Sequence, residues 1–418
     1  MASGDEQRPL HLLFFPYIAP GHLIAVADMA ALFASRGVRC TIMTTPVNAA
    51  VIRSAVDQTN DASRGTGAPV VDISTVPIPD VGLPPGVESV ADVSSEADIL
   101  KSLEAVRLLR EPFDRFLAEH HPDAAIADSF YSMFARACKD SLLRNNPLEG
   151  LVAPDDPVSL PGLPHRVALW RSQVTDPRKN ELQWNFDKLV HAADQRSYGE
   201  IFNSFAELEP DYVEHYRTVL GRRVWLVGPV ALAATKVLPA SRCGLAPEAN
   251  RCLRWLDEKP DGSVVYISFG TLAHFTAAEL RERLILSHSA VGAFVTHCGW
   301  NSVLEALSAG VPLVTWPRHA DQFYNQKLLV EVLKVGVGVG SGAYASKIED
   351  RGEVISGQKI AKAIDGVMGD GEQAEEIRKK AIELRAKAWN AIEKGGSWYD
   401  DVQQLINELM AHRKSFHA

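Results

Sequence analysis

The residues best suited to chemistry crowd into one stretch. It runs Thr296-His297-Cys298-Gly299-Trp300-Asn301-Ser302, followed by Glu305, Gly310, Val311-Pro312, Trp316-Pro317 and Asp321-Gln322. Asn301 and Ser302 stand where a strand passes into a helix, the place of N-cap residues. Two readings fit them. One is a simple cap. The other is an anion site, because His, Gly, Asn and Ser at a helix N-terminus turn backbone N–H groups and the positive end of the helix dipole toward a phosphate. Far upstream, His22 lies in a loop bent by Pro20 and Gly21, just past an apolar strand, and Asp128 ends a short strand of its own. Taken singly, a loop histidine reads as structural and a strand-end aspartate reads as a cap.

These residues need elements to position them. Leu10 to Tyr17 reads as a buried strand, Leu23 to Arg36 as a helix with Leu23, Val26, Ala27, Ala30 and Phe33 on one face, and Val38 to Thr44 as a second strand. Strand, helix, strand in so short a span is a βαβ unit and implies a parallel sheet. Gly65 to Val93 and Asn145 to Pro164 read as loops. Ala97 to Glu119 reads as one helix, Asp123 to Ala127 and Arg223 to Val227 as strands, and Val230 to Glu248 as an irregular linker. The α/β alternation resumes with a helix at Arg251 to Glu258 and a strand at Ser263 to Ser268. A helix at Ala277 to Leu284 and a strand at Ala293 to Thr296 follow. Next come a helix at Ser302 to Ser308 and a strand at Pro312 to Trp316. Helices at Lys359 to Met368, Glu372 to Lys394 and Tyr399 to His412 close the chain. The pattern predicts two doubly wound domains with ligands in the cleft at the carboxyl ends of their strands.

A chain of 418 residues with 46% hydrophobic and 23% charged residues has the profile of a soluble globular protein and room for two domains. A net charge of -9 argues against a nucleic-acid binder and against a polybasic membrane patch. Five scattered cysteines form no C-x-x-C pair, which suggests neither a disulfide framework nor zinc. Without a signal peptide or a long apolar span, the cytoplasm is the expected location.

The segment from Leu284 to Gln322 resembles the signature of plant secondary-product glycosyltransferases: H-x-x-x-G-x-F-x-T-H-C-G-W-N-S, then E, G-V-P, W-P and D-Q. Phe15 to His22 is similar to that family's N-terminal loop. Asn203-Ser204-Phe205, Leu208-Glu209, Trp225 and Gly228-Pro229 resemble its middle, and Trp255-Leu256-Asp257 with Val265 to Thr271 resembles the start of its second domain. The resemblance implies a GT-B type fold, two Rossmann-like domains facing a cleft. The acceptor-binding domain would span 1–232 and the UDP-sugar-binding domain 233–398, with 399–418 a helix packing back on the first. It implies that His22 takes the proton from an acceptor hydroxyl and that Asp128 orients the imidazole. Thr271, His297, Asn301 and Ser302 would hold the diphosphate and Glu305 the ribose, with Gly270 and Gly299 also among the UDP-binding residues. Asp321, Gln322 and the Trp300 backbone would hold the sugar. Gln322 goes with glucose as donor. The reaction would be transfer with inversion to a small hydrophobic acceptor such as a flavonoid, hormone or terpenoid, using UDP-sugar as co-substrate and no further cofactor; a monomer is assumed. With no D-x-D pair in the sequence, a bridging metal is not expected.

The sequence departs from that pattern in two places. The W-A-P-Q that normally precedes Leu284 is missing, together with a stretch between Thr271 and Leu284. A second stretch is missing near Tyr131-Ser132. The lost Trp would stack the uracil, so the alternative reading is a non-catalytic relative that kept the base but lost donor binding. The run Gly336-Val337-Gly338-Val339-Gly340 invites a nicotinamide-cofactor reading, but it follows a helix instead of opening one, so it reads as a small-residue strand and turn.

Overall fold

Among the described residues, 8–65, 67–89, 92–93, 95–127, 132–237, 247–270, 284–342 and 354–417 of a computed structural model, the chain forms two four-stranded parallel sheets with helices around them. Strand β1 (His11–Phe15) carries Leu12, Leu13 and Phe14, all fully buried, as an inner strand covered on both faces requires. Pro20 opens helix α1 (Pro20–Ala34), where its fixed φ suits the first turn and its missing N–H leaves no bond unmade. Strand β2 (Arg39–Thr44), helix α2 (Pro46–Ser63) and strand β3 (Val71–Thr75) follow. Helices α3 (Glu96–Leu108) and α4 (Arg110–His120) lead to strand β4 (Ala124–Ala127). The order β3-β2-β1-β4 leaves β1 an inner strand, so α1, whose first turn bears His22 where the sequence suggested a loop because Pro20 already opens the helix, leaves the middle of the sheet.

Three expectations change here. Strand β3 lies inside the stretch read as loop. Its alternation, Val71 and Ile73 against Asp72 and Ser74, is short and set among Gly, Pro, Ser and Asp, and the strand is held from outside by β2 and by the Asn60 amide, which accepts from Val71 N at 2.8 Å and donates to its carbonyl at 3.0 Å. The single helix expected over 97–119 is two helices, because a helix running through Pro112 would drive the proline ring into the carbonyl of Leu108, where α3 ends. Val158 and Leu160, in the second stretch read as loop, alternate inward on strand β5 (Pro157–Leu160), which pairs antiparallel with β6 (Val167–Trp170).

Helix α5 (Met133–Asn145) is capped by Ser132, whose hydroxyl accepts from Ala135 N at 2.9 Å. Helix α6 (Glu181–Asp194), strand β7 (Glu200–Phe202), helix α7 (Pro210–Glu214) and strand β8 (Val224–Leu226) complete the first half, with β7 and β8 paired in parallel. The stretch read as a linker begins as helix α8 (Val230–Val237), apolar on the side that packs on α1.

The second half comprises α9 (Pro247–Asp257), β9 (Val264–Ser268), β10 (Val291–Thr296), α10 (Trp300–Ala309), β11 (Leu313–Thr315), α11 (Gln322–Lys327), β12 (Gly336–Gly338), α12 (Gly357–Met368) and α13 (Glu372–Ala391). Its sheet order is β12-β11-β10-β9, all parallel. The glycine run forms strand β12, where a Cβ at Gly336 would lie 2.5 Å from the Leu313 carbonyl, so its small residues serve close packing. The helix expected over 277–284 falls almost wholly outside the described residues.

Helix α14 (Ser397–His417) returns to the first half. Trp398 Nε1 donates to the Val227 carbonyl at 2.8 Å, Asp401 accepts from Leu226 N at 2.9 Å, and Arg36 lies 4.2 Å over the Tyr399 ring.

Among the described residues β4 and β9 each end a sheet. Each is also the last strand before a point where the sequence departs from the glycosyltransferase pattern. On β9 the Ile267 side chain is 55% exposed, an apolar face that a further strand and helix would cover in a doubly wound sheet. No helix among the described residues is long and apolar enough to cross a membrane.

Candidate active site

His22 stands in the first turn of α1, directly after the carboxyl end of β1. The extended Ala19 precedes the helix, and His22 N donates to the Ala19 carbonyl at 3.0 Å. The half-buried ring meets the Tyr17 ring edge-on at 5.5 Å. Asp128, its expected partner, lies outside the described residues.

The second half offers a tight turn between β10 and α10. Cys298 takes φ 69, a left-handed value that a Cβ-bearing residue adopts only under local constraint, and Cys298 N donates to Thr296 Oγ1 at 3.2 Å. The His297 imidazole is wedged between two glycines. A Cβ on Gly299 would lie 2.4 Å from its Nε2, and one on Gly270 would lie 2.5 Å from the same atom. Both glycines are therefore required by the ring. Burial pushes the His297 pKa down to about 4, helped by the nearby His319, so the imidazole is neutral at pH 7. Helix α10 then runs from Trp300 through Asn301, Ser302 and the buried Glu305, and Gly310 at φ 77 terminates it. Thr271 lies outside the described residues.

A second turn, between β11 and α11, brings Asp321 and Gln322 alongside. Ala320 at φ 56 shapes it. The Gln322 amide is fixed: its oxygen accepts from the backbone of Arg318 at 2.9 Å and of His319 at 3.1 Å, and its nitrogen contacts His319 Nδ1 at 3.3 Å. Two backbone donors settle which end is oxygen, so His319 Nδ1 accepts and its proton sits on Nε2. Burial, with Arg318 nearby, holds the His319 pKa down at about 4, consistent with that neutral ring. Burial raises the Asp321 carboxyl, and the Asn325 amide at 2.6 Å together with the fields of Lys139 and His22 pulls the other way. His22 thus lies within electrostatic range of Asp321.

The two halves meet at this point. Asn301 Nδ2 donates to the Gly21 carbonyl at 2.8 Å, one residue before His22. Trp300 Nε1 donates to the Asn203 carbonyl at 2.7 Å, and Asn203 Nδ2 reaches Asn301 Oδ1 at 3.3 Å. Asn325 ties a second seam, accepting from Ser132 Oγ at 3.0 Å and donating to the Cys298 carbonyl at 2.9 Å. The turn from His297 to Asn301 and the first turn of α1 that bears His22 therefore come together, and the side chains of Trp300 and Asn301 face the first half. Sequence reasoning missed Asn203, His319 and Asn325. Asn203 lies within a recognised motif but bears no local sign of reaching Asn301, and nothing in its own neighbourhood marks Asn325.

A protein-family model described as UDP-glucoronosyl and UDP-glucosyl transferase matches residues 280–347. Scopoletin glucosyltransferase of Nicotiana tabacum is 36% identical, over 98% of this chain and 99% of its own length. The anthocyanin 3'-O-beta-glucosyltransferase of Gentiana triflora is 35% identical, over 96% and 99%. A Glycyrrhiza uralensis enzyme solved with glycyrrhetinic acid 3-O-monoglucuronide superposes with a TM-score of 0.85 at 33% identity, covering 98% of both chains. The tobacco alignment extends over 482 residues although this chain has 418, so the relative carries segments that this chain lacks. With the signature turn, the two parallel sheets and near-full-length identity in agreement, the chain belongs to the plant family 1 UDP-glycosyltransferases and has their GT-B fold.

Proposed function

We propose that this chain transfers a sugar, with glucose as donor sugar, from a UDP-sugar to a hydroxyl of a small hydrophobic acceptor, with inversion at the anomeric carbon. The acceptor-binding domain is residues 1–232, the donor domain 233–398, and 399–418 is the helix returning to the first. His22 removes the acceptor proton as the acceptor oxygen attacks the anomeric carbon, and the bond to UDP breaks on the opposite side. Asp128 is its orienting partner. The leaving diphosphate develops charge against the N–H groups at the start of α10 and a neutral His297 held by Gly270 and Gly299, with Ser302 and Thr271 alongside. Asn301 contributes its backbone amide there. Glu305 takes the ribose hydroxyls, and Asp321, Gln322 and the Trp300 backbone take the sugar. The protein works as a cytoplasmic monomer.

The observation that carries this reading is the 2.8 Å bond from Asn301 to the carbonyl next to His22, which joins the anion-binding turn to the base loop. A second reading, a relative that kept the base but binds donor too weakly to turn over, rests on the missing W-A-P-Q alone. Incubation with UDP-glucose and a panel of hydroxylated aromatic acceptors, read by mass, separates them. Glucoside formation supports transfer. Its absence, together with no rise in melting temperature on adding UDP, supports the second reading.

A further inference from the structure

Asn203 follows β7 in the first half and is buried at 2% exposure. Its Oδ1 accepts from Val230 N at 3.0 Å. A backbone N–H can only donate, so this bond fixes the amide and turns Nδ2 toward the seam. There it donates to Asn301 Oδ1 at 3.3 Å. That donation fixes the second amide in turn and leaves Asn301 Nδ2 to donate to the Gly21 carbonyl at 2.8 Å. A Cβ on Gly228 would lie 2.2 Å from Asn203 Oδ1, so glycine at that position is what admits the amide. The polarity of the whole relay follows from one backbone donor, and it ends one residue short of His22.

We infer that the relay from Val230 through Asn203 and Asn301 to Gly21 is a positioning device for His22: the Asn301 side chain sets the base loop against the donor turn instead of holding phosphate, and Asn203 aims it. The inference rests on His22 as the base. Across the seam Asn203 bonds only the side chains of Trp300 and Asn301, while the donor roles assigned to those two residues lie in their backbones, which makes Asn203 the place to test the device.

Asn203→Asp keeps the acceptor for Val230 N but cannot donate to Asn301 Oδ1. Its carboxylate draws Asn301 Nδ2 away from Gly21. Turnover with UDP-glucose, the Kd for UDP by calorimetry and the melting temperature are measured together. The expected result is a kcat lowered about 5- to 10-fold, the scale of one or two neutral hydrogen bonds, with the Kd for UDP unchanged. An unchanged kcat in a folded variant overturns the inference. Asn301→Ala is the second variant and should show the same split. A Kd for UDP that rises as far as kcat falls would make its side chain a phosphate ligand and overturn the inference too. If the wild type forms no glucoside, or His22→Ala equals it, the reading of the base fails by itself. The contact is then decided by melting. The relay predicts that Asn203→Ala with Asn301→Ala melts no lower than the worse single variant, and additive losses refute it.

Discussion

Replacing Gly299 with alanine isolates the role of His297. Gly299 has φ -60 and ψ 135, a backbone that alanine adopts without strain, so the only new event is the contact of the added Cβ. That Cβ would lie 2.4 Å from His297 Nε2, where ordinary contact begins at 3.4 Å. The ring must move by about 1 Å. The Gly270 backbone is packed against the same imidazole, where an added Cβ would lie 2.5 Å from it, which limits where the ring can go. The ring therefore leaves the position from which the proposed function has it donate to the diphosphate. Losing one hydrogen bond to a charged group is worth about 1.5–3 kcal/mol, or roughly a 10- to 150-fold rise in the Kd for UDP. Calorimetric titration of UDP into Gly299→Ala, His297→Ala and the double variant measures it. The three should weaken alike, because the first variant acts only through the second residue. A Gly299→Ala protein that binds UDP as the wild type does, or a double variant that weakens by the sum of the singles, would refute the reasoning.

Three other outcomes follow from the same structure. Burial raises Glu209 from 4.5 to about 7 while its carboxylate accepts from Phe134 N, so the fold holds a proton that the unfolded chain releases. Its contribution to stability is present below about pH 4.5 and lost as pH rises through 7, and the drop in melting temperature between those values should shrink in Glu209→Gln. His297 and His319, both lowered from 6.5 to about 4, act in the opposite direction. The unfolded chain takes up their protons first, so stability falls as pH drops from 6.5 toward 4, and His319→Gln should flatten that limb of the melting curve. On the proposal that the Trp missing before Leu284 is the one that stacks uracil, the Kd for UDP should lie roughly 5- to 150-fold above that of tobacco scopoletin glucosyltransferase measured side by side, by analogy with base stacking on aromatic rings.

Much of this was legible where the signal is local. The β1-α1-β2 unit shows in an apolar run, a helical face and a proline at the first turn. The turn from His297 to Ser302 shows because every residue in it answers to one short stretch of backbone. Strand β3 did not show, because it is five residues among turn formers and is held by β2, some thirty positions upstream, and by the Asn60 amide. The break between α3 and α4 could have been read from Pro112. The direction of the Asn301 side chain could not, since Asn203 and Gly21, the groups that fix it, are 98 and 280 positions away. The need for glycine at Gly299 follows from where the ring of His297 lies in space, which no periodicity expresses.

The central claim is that His22 takes the acceptor proton while the donor is held independently by the turn at His297. The most direct measurement compares wild type and His22→Ala for turnover of UDP-glucose with a hydroxylated acceptor and for UDP affinity. A lost general base predicts a fall of about 100-fold or more in kcat with the Kd for UDP unchanged. Equal turnover in the two proteins, or a loss of turnover matched by an equal loss of UDP binding, would contradict it.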